Sequence, residues 1–414
     1  MDTKTLRCGL LGRKLGHSYS PAIHERLADY SYRLFEVEPE DLGAFLQEGA
    51  FDGLNVTIPY KKDVIPYCAE LSDTARAIGA VNTLVRRADG TLWGDNTDAY
   101  GFSMLVQSSG ADVAGKKALV FGSGGASATA QYVLRQLGAR EVVVISRHGE
   151  DNYENLDRHV DAQIAVNTTP VGMYPNTGVS PVDLHRLPRL EAALDVVYNP
   201  ARTEFLLQAE ARGLRRANGL LMLAAQAKKS CEDFTGEPVD DAKIFSITKA
   251  LEAQMHNVIL IGMPGSGKTT IGTLVAKRLG RTFVDADSAL EREAGMPIPE
   301  IFRREGEAGF RRRETAVLAE LGRQSGLVLA TGGGSVTREE NYPLLHQNGE
   351  IFCLQRALER LPSAGRPVSQ ALGAQTIYAQ RKPLYARFAD AMIDNNGTPE
   401  AAAAQILEVL GCSC

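Results

Sequence analysis

At 414 residues the chain exceeds one core of ordinary size, and 44% hydrophobic with 23% charged residues is the mixture of a globular protein, so two or three domains are expected. The formal charge is only −5, from 45 Lys and Arg against 50 Asp and Glu, and it has no long run of one sign, which gives nucleic acid or an anionic membrane nothing to grip. The first residues lack an apolar segment, no stretch is long enough to span a bilayer, and six scattered cysteines lack C-x-x-C spacing, so a reducing cytoplasm is the expected setting.

Short β-branched runs alternate with amphipathic stretches, the signature of α/β folds with parallel sheets. Residues 1 to about 100 have their own strand and helix signals and read as a substrate domain. Ser18, Tyr19 and Ser20 stand in the run Gly16–Pro21. Alternation brings Asn55, Thr57 and Lys61 broadly to one side of a strand end, and Asn82, Thr83 and Asp95–Asp98 follow. A polyhydroxylated substrate needs such donors and acceptors, although each motif alone also serves as a turn or helix cap. The strand Ala118–Phe121 runs into Gly122, Ser123, Gly124, Gly125, Ala126 and Ser127, which open a helix. This is a short dinucleotide fingerprint that, alone, can equally be a structural turn. The next strand, Glu141–Ile145, ends in Ser146-Arg147-His148 where an NAD site would place an acid. Arg147 instead favours a ribose 2′-phosphate, hence NADP.

Asp240–Met255 reads as a helix with Ile244, Ile247 and Leu251 on one stripe, and no Gly/Ser linker separates it from the strand Val258–Ile261. Gly262-Met-Pro-Gly265-Ser266-Gly267-Lys268-Thr269 then matches G-x-x-x-x-G-K-T in full. Glycines let backbone N–H groups point at phosphate oxygens, Lys268 adds a mobile positive charge and Thr269 offers Mg²⁺ a hydroxyl, so a nucleoside-triphosphate site is expected. After the strand Thr282–Val284, Asp285 and Asp287 fall on one side of an extended segment, where one can hold metal-bound water and the other an acceptor hydroxyl. Alone, the pair is also an ordinary turn or cap. Phe310, Val317, Leu318 and Leu321 predict a helix on which Arg311, Arg312 and Arg313 cannot share a direction. Gly332–Gly334, after the strand Leu327–Ala330, allows close approach of a ligand.

The phosphate loop, Asp285-x-Asp287, Phe310–Arg312, Gly332–Gly334, Gly365-Arg366-Pro367 and Arg381-x-Pro383-Leu384-Tyr385, in this order, resemble shikimate kinase over residues 257–411. The resemblance implies ATP held by Gly262, Gly265, Ser266, Gly267, Lys268, Thr269 and Thr270, with Arg366 on a lid and Arg360 a further lid candidate. Thr269 and, through water, Asp285 would hold Mg²⁺. Asp287 would bind the ring diol and take the hydroxyl proton. Arg311 and Arg381 would grip the shikimate carboxylate beside Gly333 and Gly334, Arg being suited to a planar carboxylate. Lys268 and Asp287 would be the catalytic residues.

The earlier segments, together with Asn167–Met173, Asp195–Pro200 and Asn218-Gly219 through Met222–Gln226, resemble shikimate dehydrogenase over residues 5–255. This implies shikimate binding by Ser18, Ser20, Thr57, Asn82, Asp98 and Gln226, with Lys61 and Asp98 as the catalytic pair. Gly122–Ser127 would take the NADP pyrophosphate, Arg147 the 2′-phosphate, and Gly219 and Met222 the nicotinamide side. The family has a further helix and strand where only one short segment fits between Arg147 and Asn167, so an open adenine side is expected. Leu221 stands where the family commonly has glycine. The expected organisation is a substrate domain (1–100), a Rossmann-like NADP domain (101–218), closing helices and junction (219–256) and a P-loop kinase domain resembling the nucleoside-monophosphate kinases (257–414). The expected function is reduction of 3-dehydroshikimate with NADPH followed by phosphorylation of shikimate with ATP. Oxidation of quinate or shikimate with NAD, and a half reduced to a regulatory binding module, are the competing readings.

Overall fold

The structure is a computed structural model that describes residues 5–16, 18–49, 51–361 and 374–411, so Arg366 and Cys412–Cys414 lie outside the described residues. Backbone contacts divide the chain into two compact units: residues 1–172, 179–198 and 205–250, and residues 173–178, 199–204 and 251–414.

The first unit holds two sheets. One contains β1 (Arg7–Gly12), β2 (Ser31–Glu36), β3 (Gly53–Val56), β4 (Glu70–Leu71), β5 (Thr83–Arg86) and β6 (Leu92–Asp95), in the order β2-β1-β3-β5-β6-β4. It is mixed rather than purely parallel, because β5 pairs antiparallel with both β3 and β6. The turn Arg87–Thr91 joins β5 to β6 as a hairpin, which needs no crossover. Leu11, Leu54, Val56 and Leu84 are buried against Leu46, Phe51 and Tyr60.

The other sheet is parallel throughout. It contains β7 (Lys117–Phe121), β8 (Glu141–Ile145), β9 (Ile164–Asn167), β10 (Ala192–Asp195) and β11 (Arg215–Ala217), in the order β11-β10-β9-β7-β8. β7 and β9 are fully buried and apolar apart from Lys117 and Asn167 at their ends, as a sheet covered on both faces requires. The 18 residues between β8 and β9 contain one short 3₁₀ turn, Leu156–His159, instead of an α-helix.

The second unit has one parallel sheet: β12 (Asn257–Ile261), β13 (Phe283–Asp285), β14 (Val328–Ala330), β15 (Gly349–Gln355) and β16 (Ala391–Asp394), in the order β13-β14-β12-β15-β16. Every residue of β12 is buried between two apolar clusters, one around Leu318 and Ile301 and the other around Ile271 and Ile406. The predicted stripe of Phe310, Val317, Leu318 and Leu321 is buried on the helical segment Ile298–Gly322, which is interrupted at Gly306 (φ +67°). Among the described residues no helix is long and apolar enough to cross a membrane.

Candidate active sites

In the first unit the strand order reverses between β7 and β9, and ligands of doubly wound sheets bind beyond the carboxyl ends of such strands. Gly122 leaves β7 there with φ +107°, and a Cβ on it would meet Thr168 Oγ1 and Thr169 Cγ2, both at 2.9 Å. Thr168 ties the turn to β7: its N–H and its hydroxyl both donate to the Phe121 carbonyl, at 2.9 and 2.6 Å. Gly122 through Ala126 line a cavity of about 990 Å³ together with Thr57, Lys61 and Arg147. A Cβ on Gly124 would have nothing within 4 Å, so its absence leaves open space at the start of the helix Gly125–Gln136. Open space, unpaired N–H groups and the positive helix end fit a pyrophosphate. Ser127 departs from the rest of the turn. It is fully buried and its hydroxyl accepts from Gln131 Nε2 at 3.2 Å, so its side chain is unavailable to a ligand.

Lys61 Nζ lies 2.5 Å from Asp98 Oδ2, and both side chains are mostly buried, 22% and 12% exposed. Lys61 is held at the end of the turn after β3 by the Val81 N–H, which donates to its carbonyl at 2.7 Å. Asp98 opens the helix Asp98–Ser109. Asn82 orders the same helix start: its Oδ1 accepts from the Thr97 N–H at 2.7 Å and from the hydroxyls of Thr83 and Thr97 at 3.1 and 3.2 Å. The Ser20 N–H donates to Ser18 Oγ at 3.2 Å; Ser20 is buried, and the Tyr32 hydroxyl donates to Asn55 Oδ1 at 2.8 Å. Gln226 is buried, with Nε2 donating to the Leu223 carbonyl at 2.9 Å. Gly219 and Met222 are not on the cavity wall: Gly219 packs on the backbone of Val196, and Met222 on Gly101.

The expected open adenine side has a wall. Tyr153 lines the cavity beside Arg147, with Ser180 and Pro181, and its ring stacks on Phe121 at 6.2 Å between centroids. The short segment holding it is tied by Asn152 and Asn155, which accept each other's backbone N–H at 3.2 and 2.8 Å, and by His159 against Asp151 at 2.9 Å. An aromatic residue in a polar loop just after Arg147 was the available signal, and the sequence reading passed over it.

In the second unit the phosphate loop turns on three positive-φ glycines, Gly262 (+141°), Gly265 (+82°) and Gly267 (+96°). A side chain on Gly262 would collide with the Leu354 carbonyl, 2.8 Å from its Cβ, so β15 itself demands glycine. Lys268 Nζ donates to the carbonyls of Gly262 and Met263 at 2.9 and 3.1 Å. Ser266 is fully buried and is not on the cavity wall, whereas Gly265, Gly267, Lys268, Thr269 and Thr270 line a cavity of about 640 Å³ with Asp285, Asp287, Arg311, Gly333, Gly334 and Arg381.

Asp285 and Asp287 do not share one side of an extended segment. Asp285 ends β13 and caps the helix Ala286–Ala294, its Oδ1 accepting from the N–H groups of Asp287 and Ser288 at 3.1 and 3.2 Å. The cap leaves Asp285 Oδ2 to accept from the Thr269 hydroxyl at 3.0 Å. This oxygen-only pair at the loop suits Mg²⁺, which prefers one or two protein ligands completed by phosphate oxygens and water. Among the described residues no cluster of three His, Cys, Asp or Glu offers a self-contained metal cage.

Asp287 is pushed up to about 6, first by burial and then by the negative charges of Asp285 and Glu314. Arg311 is buried and pairs with Glu314 at 2.7 Å, while Arg312 is exposed and Arg313 pairs with Glu305 at 2.8 Å, so one arginine of the run enters the site. Arg381 Nη1 and the Tyr385 hydroxyl both donate to the Gly333 carbonyl, at 3.0 and 2.6 Å. Arg360 is spent on the Asn396 carbonyl and lies off the cavity wall. Glu314 was missed from sequence, although its i+3 spacing from Arg311 on a helix was the signal. Bare Gly332 admits it: a Cβ there would stand 2.6 Å from Glu314 Oε1 and 2.9 Å from Asp287 Oδ1.

The first unit is thus a dinucleotide-dependent oxidoreductase by fold and site, and the second a P-loop phosphotransferase. Comparison with known proteins agrees. The family model for the shikimate dehydrogenase substrate binding domain matches residues 10–84, and that for shikimate kinase matches residues 264–411. The chain is 36% identical over 267 residues to the shikimate dehydrogenase (NADP(+)) of Clostridium perfringens (strain SM101 / Type A), a match covering 59% of this chain and 98% of that protein. Among solved structures, a chorismate mutase/shikimate 5-dehydrogenase fusion protein from Clostridium acetobutylicum is 36% identical with a TM-score of 0.57, over 60% of this chain and 97% of that one. Shikimate 5-dehydrogenase from Thermus thermophilus, in complex with NADP(H) and shikimate, is 33% identical with a TM-score of 0.54, over 59% and 99%. The chain belongs to the shikimate dehydrogenase family and carries a shikimate kinase domain after it.

Proposed function

We infer that the protein is a bifunctional shikimate-pathway enzyme, reducing 3-dehydroshikimate to shikimate and then phosphorylating shikimate to shikimate 3-phosphate. The observation that carries this reading is that each unit has its own complete charged constellation: Lys61 with Asp98 beside the Gly122 turn, and Asp287 with Arg311 and Arg381 beside the phosphate loop.

In the first site NADPH, when bound, supplies the hydride to the ketone carbon. The chain's own task is to meet the charge that develops on the ketone oxygen. Lys61 is oriented by Asp98 at 2.5 Å, so it can stabilise that oxygen and donate the proton that completes the hydroxyl. Ser18, Ser20, Thr57, Asn82 and Gln226 supply the hydroxyl and amide partners of the ring. Gly122 through Ala126 would hold the pyrophosphate and Arg147 the 2′-phosphate. Arg147 and the absent acid after β8 favour NADP over NAD.

In the second site Asp287 takes the proton of the attacking hydroxyl, a role its raised pKa suits. Arg311, stiffened by Glu314, and Arg381, anchored on Gly333, take the acceptor carboxylate in this reading, which their place on one cavity wall supports. Lys268, Thr269 and the loop N–H groups position the phosphates, and Asp285 holds Thr269 where Mg²⁺ would bind. Small-molecule partners and a reducing cytoplasmic setting complete the proposal, supported by the free cysteines Cys8, Cys68, Cys231 and Cys353.

The test is an assay of the intact chain from 3-dehydroshikimate, supplying NADPH, NADH and ATP in turn. NADPH oxidation followed by ATP-dependent formation of a phosphate ester is expected. Binding of NADPH and shikimate without any absorbance change at 340 nm would overturn the reductase assignment.

A further inference from the structure

Among the described residues four cations line the phosphate cavity of the second unit, and three of them are engaged. Lys268 donates to two loop carbonyls, Arg311 pairs with Glu314, and Arg381 donates to the Gly333 carbonyl. The fourth is Arg356, one residue beyond β15. Among the described residues its guanidinium has no ion pair, although Asp285, Asp287, Glu291 and Glu314 line the same cavity. Among the same residues its buried Nε has no hydrogen-bond partner. An orphaned buried donor on an always-charged group is costly unless a ligand satisfies it.

The fold places this group beside the phosphates rather than the acceptor carboxylate. β15 pairs with β12, Cys353 opposite Ile261, so the two strands release Arg356 and the phosphate loop side by side. The contact of Gly262 with the Leu354 carbonyl fixes that proximity. Arg311 and Arg381 are instead gathered around Gly333 and Gly334.

We propose that Arg356 is a catalytic residue of the phosphotransfer, binding the terminal phosphoryl group of ATP. This rests on reading the cavity as the kinase site. As the acceptor oxygen bonds to the terminal phosphorus, the bond from phosphorus to the bridging oxygen of the departing ADP breaks and the hydroxyl proton passes to Asp287. Arg356 neutralises the equatorial oxygens throughout and, being a planar fork, can span two of them.

The test uses Arg356→Met and Arg356→Lys in the full chain, with calorimetric titration of ADP and of a non-hydrolysable ATP analogue beside kinase kinetics. Arg356→Met is expected to weaken the ATP analogue on the order of tenfold to a hundredfold, the range of a charge-assisted contact, and to lower kcat. ADP affinity and the KM for shikimate should stay unchanged, and Arg356→Lys should recover part of the loss. An unchanged ratio of ATP-analogue to ADP affinity overturns the proposal while unaltered ADP binding leaves the nucleotide-site reading standing. A rise in the KM for shikimate alone also overturns it, by assigning Arg356 to the carboxylate. If Arg356→Met loses ADP binding as well, restored discrimination in Arg356→Lys supports the proposal and its absence refutes it.

Discussion

Asp98 and Asp287 are the carboxylates proposed for the chemistry of the two units, yet their surroundings are opposite. Asp98 is bound to Lys61 at 2.5 Å. Asp287 has no cation in contact among the described residues; Lys268 and Arg311 act on it from a distance, while burial, Asp285 and Glu314 drive it up to about 6. The same side chain therefore serves two purposes. Paired, it aims a lysine, the acid of the proposed reduction; desolvated among like charges, it suits the proposed base, which accepts a proton near neutral pH.

Exchanging the charged groups tests this contrast most severely. Lys61→Ala should cut reduction of 3-dehydroshikimate by roughly 10²–10⁴, the range of a lost acid–base group, and leave phosphorylation near normal. Lys268→Ala should do the reverse, with a kinase loss on the order of 10³. Steady-state assays of both reactions on each variant check this, and loss of both activities from either change would contradict two independent sites.

A smaller effect concerns pH. Kinase kcat/KM should fall as pH drops through about 6, because Asp287 then carries its proton, and Glu314→Gln should move that acid limb to lower pH by removing one of the charges that raises Asp287. A limb that stays in place would show that burial and Asp285 set it without Glu314. The stability consequence has a definite sign. The folded pKa is above the ordinary carboxylate value of 3.8, so this group favours the fold below that pH and the contribution is lost as pH rises through about 6. Thermal melts of Asp287→Asn should therefore show a more stable kinase unit than the parent above pH 6, by on the order of 5 °C, and little difference near pH 4.

The mildest comparison is between two glycines of the first unit. Gly124→Ala adds a methyl that touches nothing in the protein, so it should weaken NADPH about tenfold with an unchanged melting temperature. Gly219→Ala presses a methyl into the Val196 backbone and should lower the melting temperature instead. Fluorescence titration of NADPH and a thermal melt separate the two.

Much of this was legible in the chain. The apolar runs at Val258–Ile261 and Ala118–Phe121, each followed by a glycine turn, predicted two nucleotide-binding strand–turn–helix units, because buried parallel strands must be apolar and phosphate turns need positive φ. Less legible were features that depend on what lies opposite. Alternation put Asp285 and Asp287 on one face of a strand, but a helix begins between them and turns Asp285 into its cap. Ser127 reads as part of a turn, yet packing takes its side chain inside. Tyr153 was passed over because Phe121, on which its ring stacks, is brought to it only by the sheet.

The sequence by itself determined the two glycine turns and the residue types and order of both proposed catalytic sets, since local backbone demands and covalent spacing are written in neighbouring residues. Tertiary structure alone decided which of three consecutive arginines enters the cavity of the second unit, that Glu314 stands beside Asp287, and that Arg356 Nε is left without a hydrogen-bond partner among the described residues. Those outcomes rest on burial and on charges from distant segments, which act through space and have no signature along the chain.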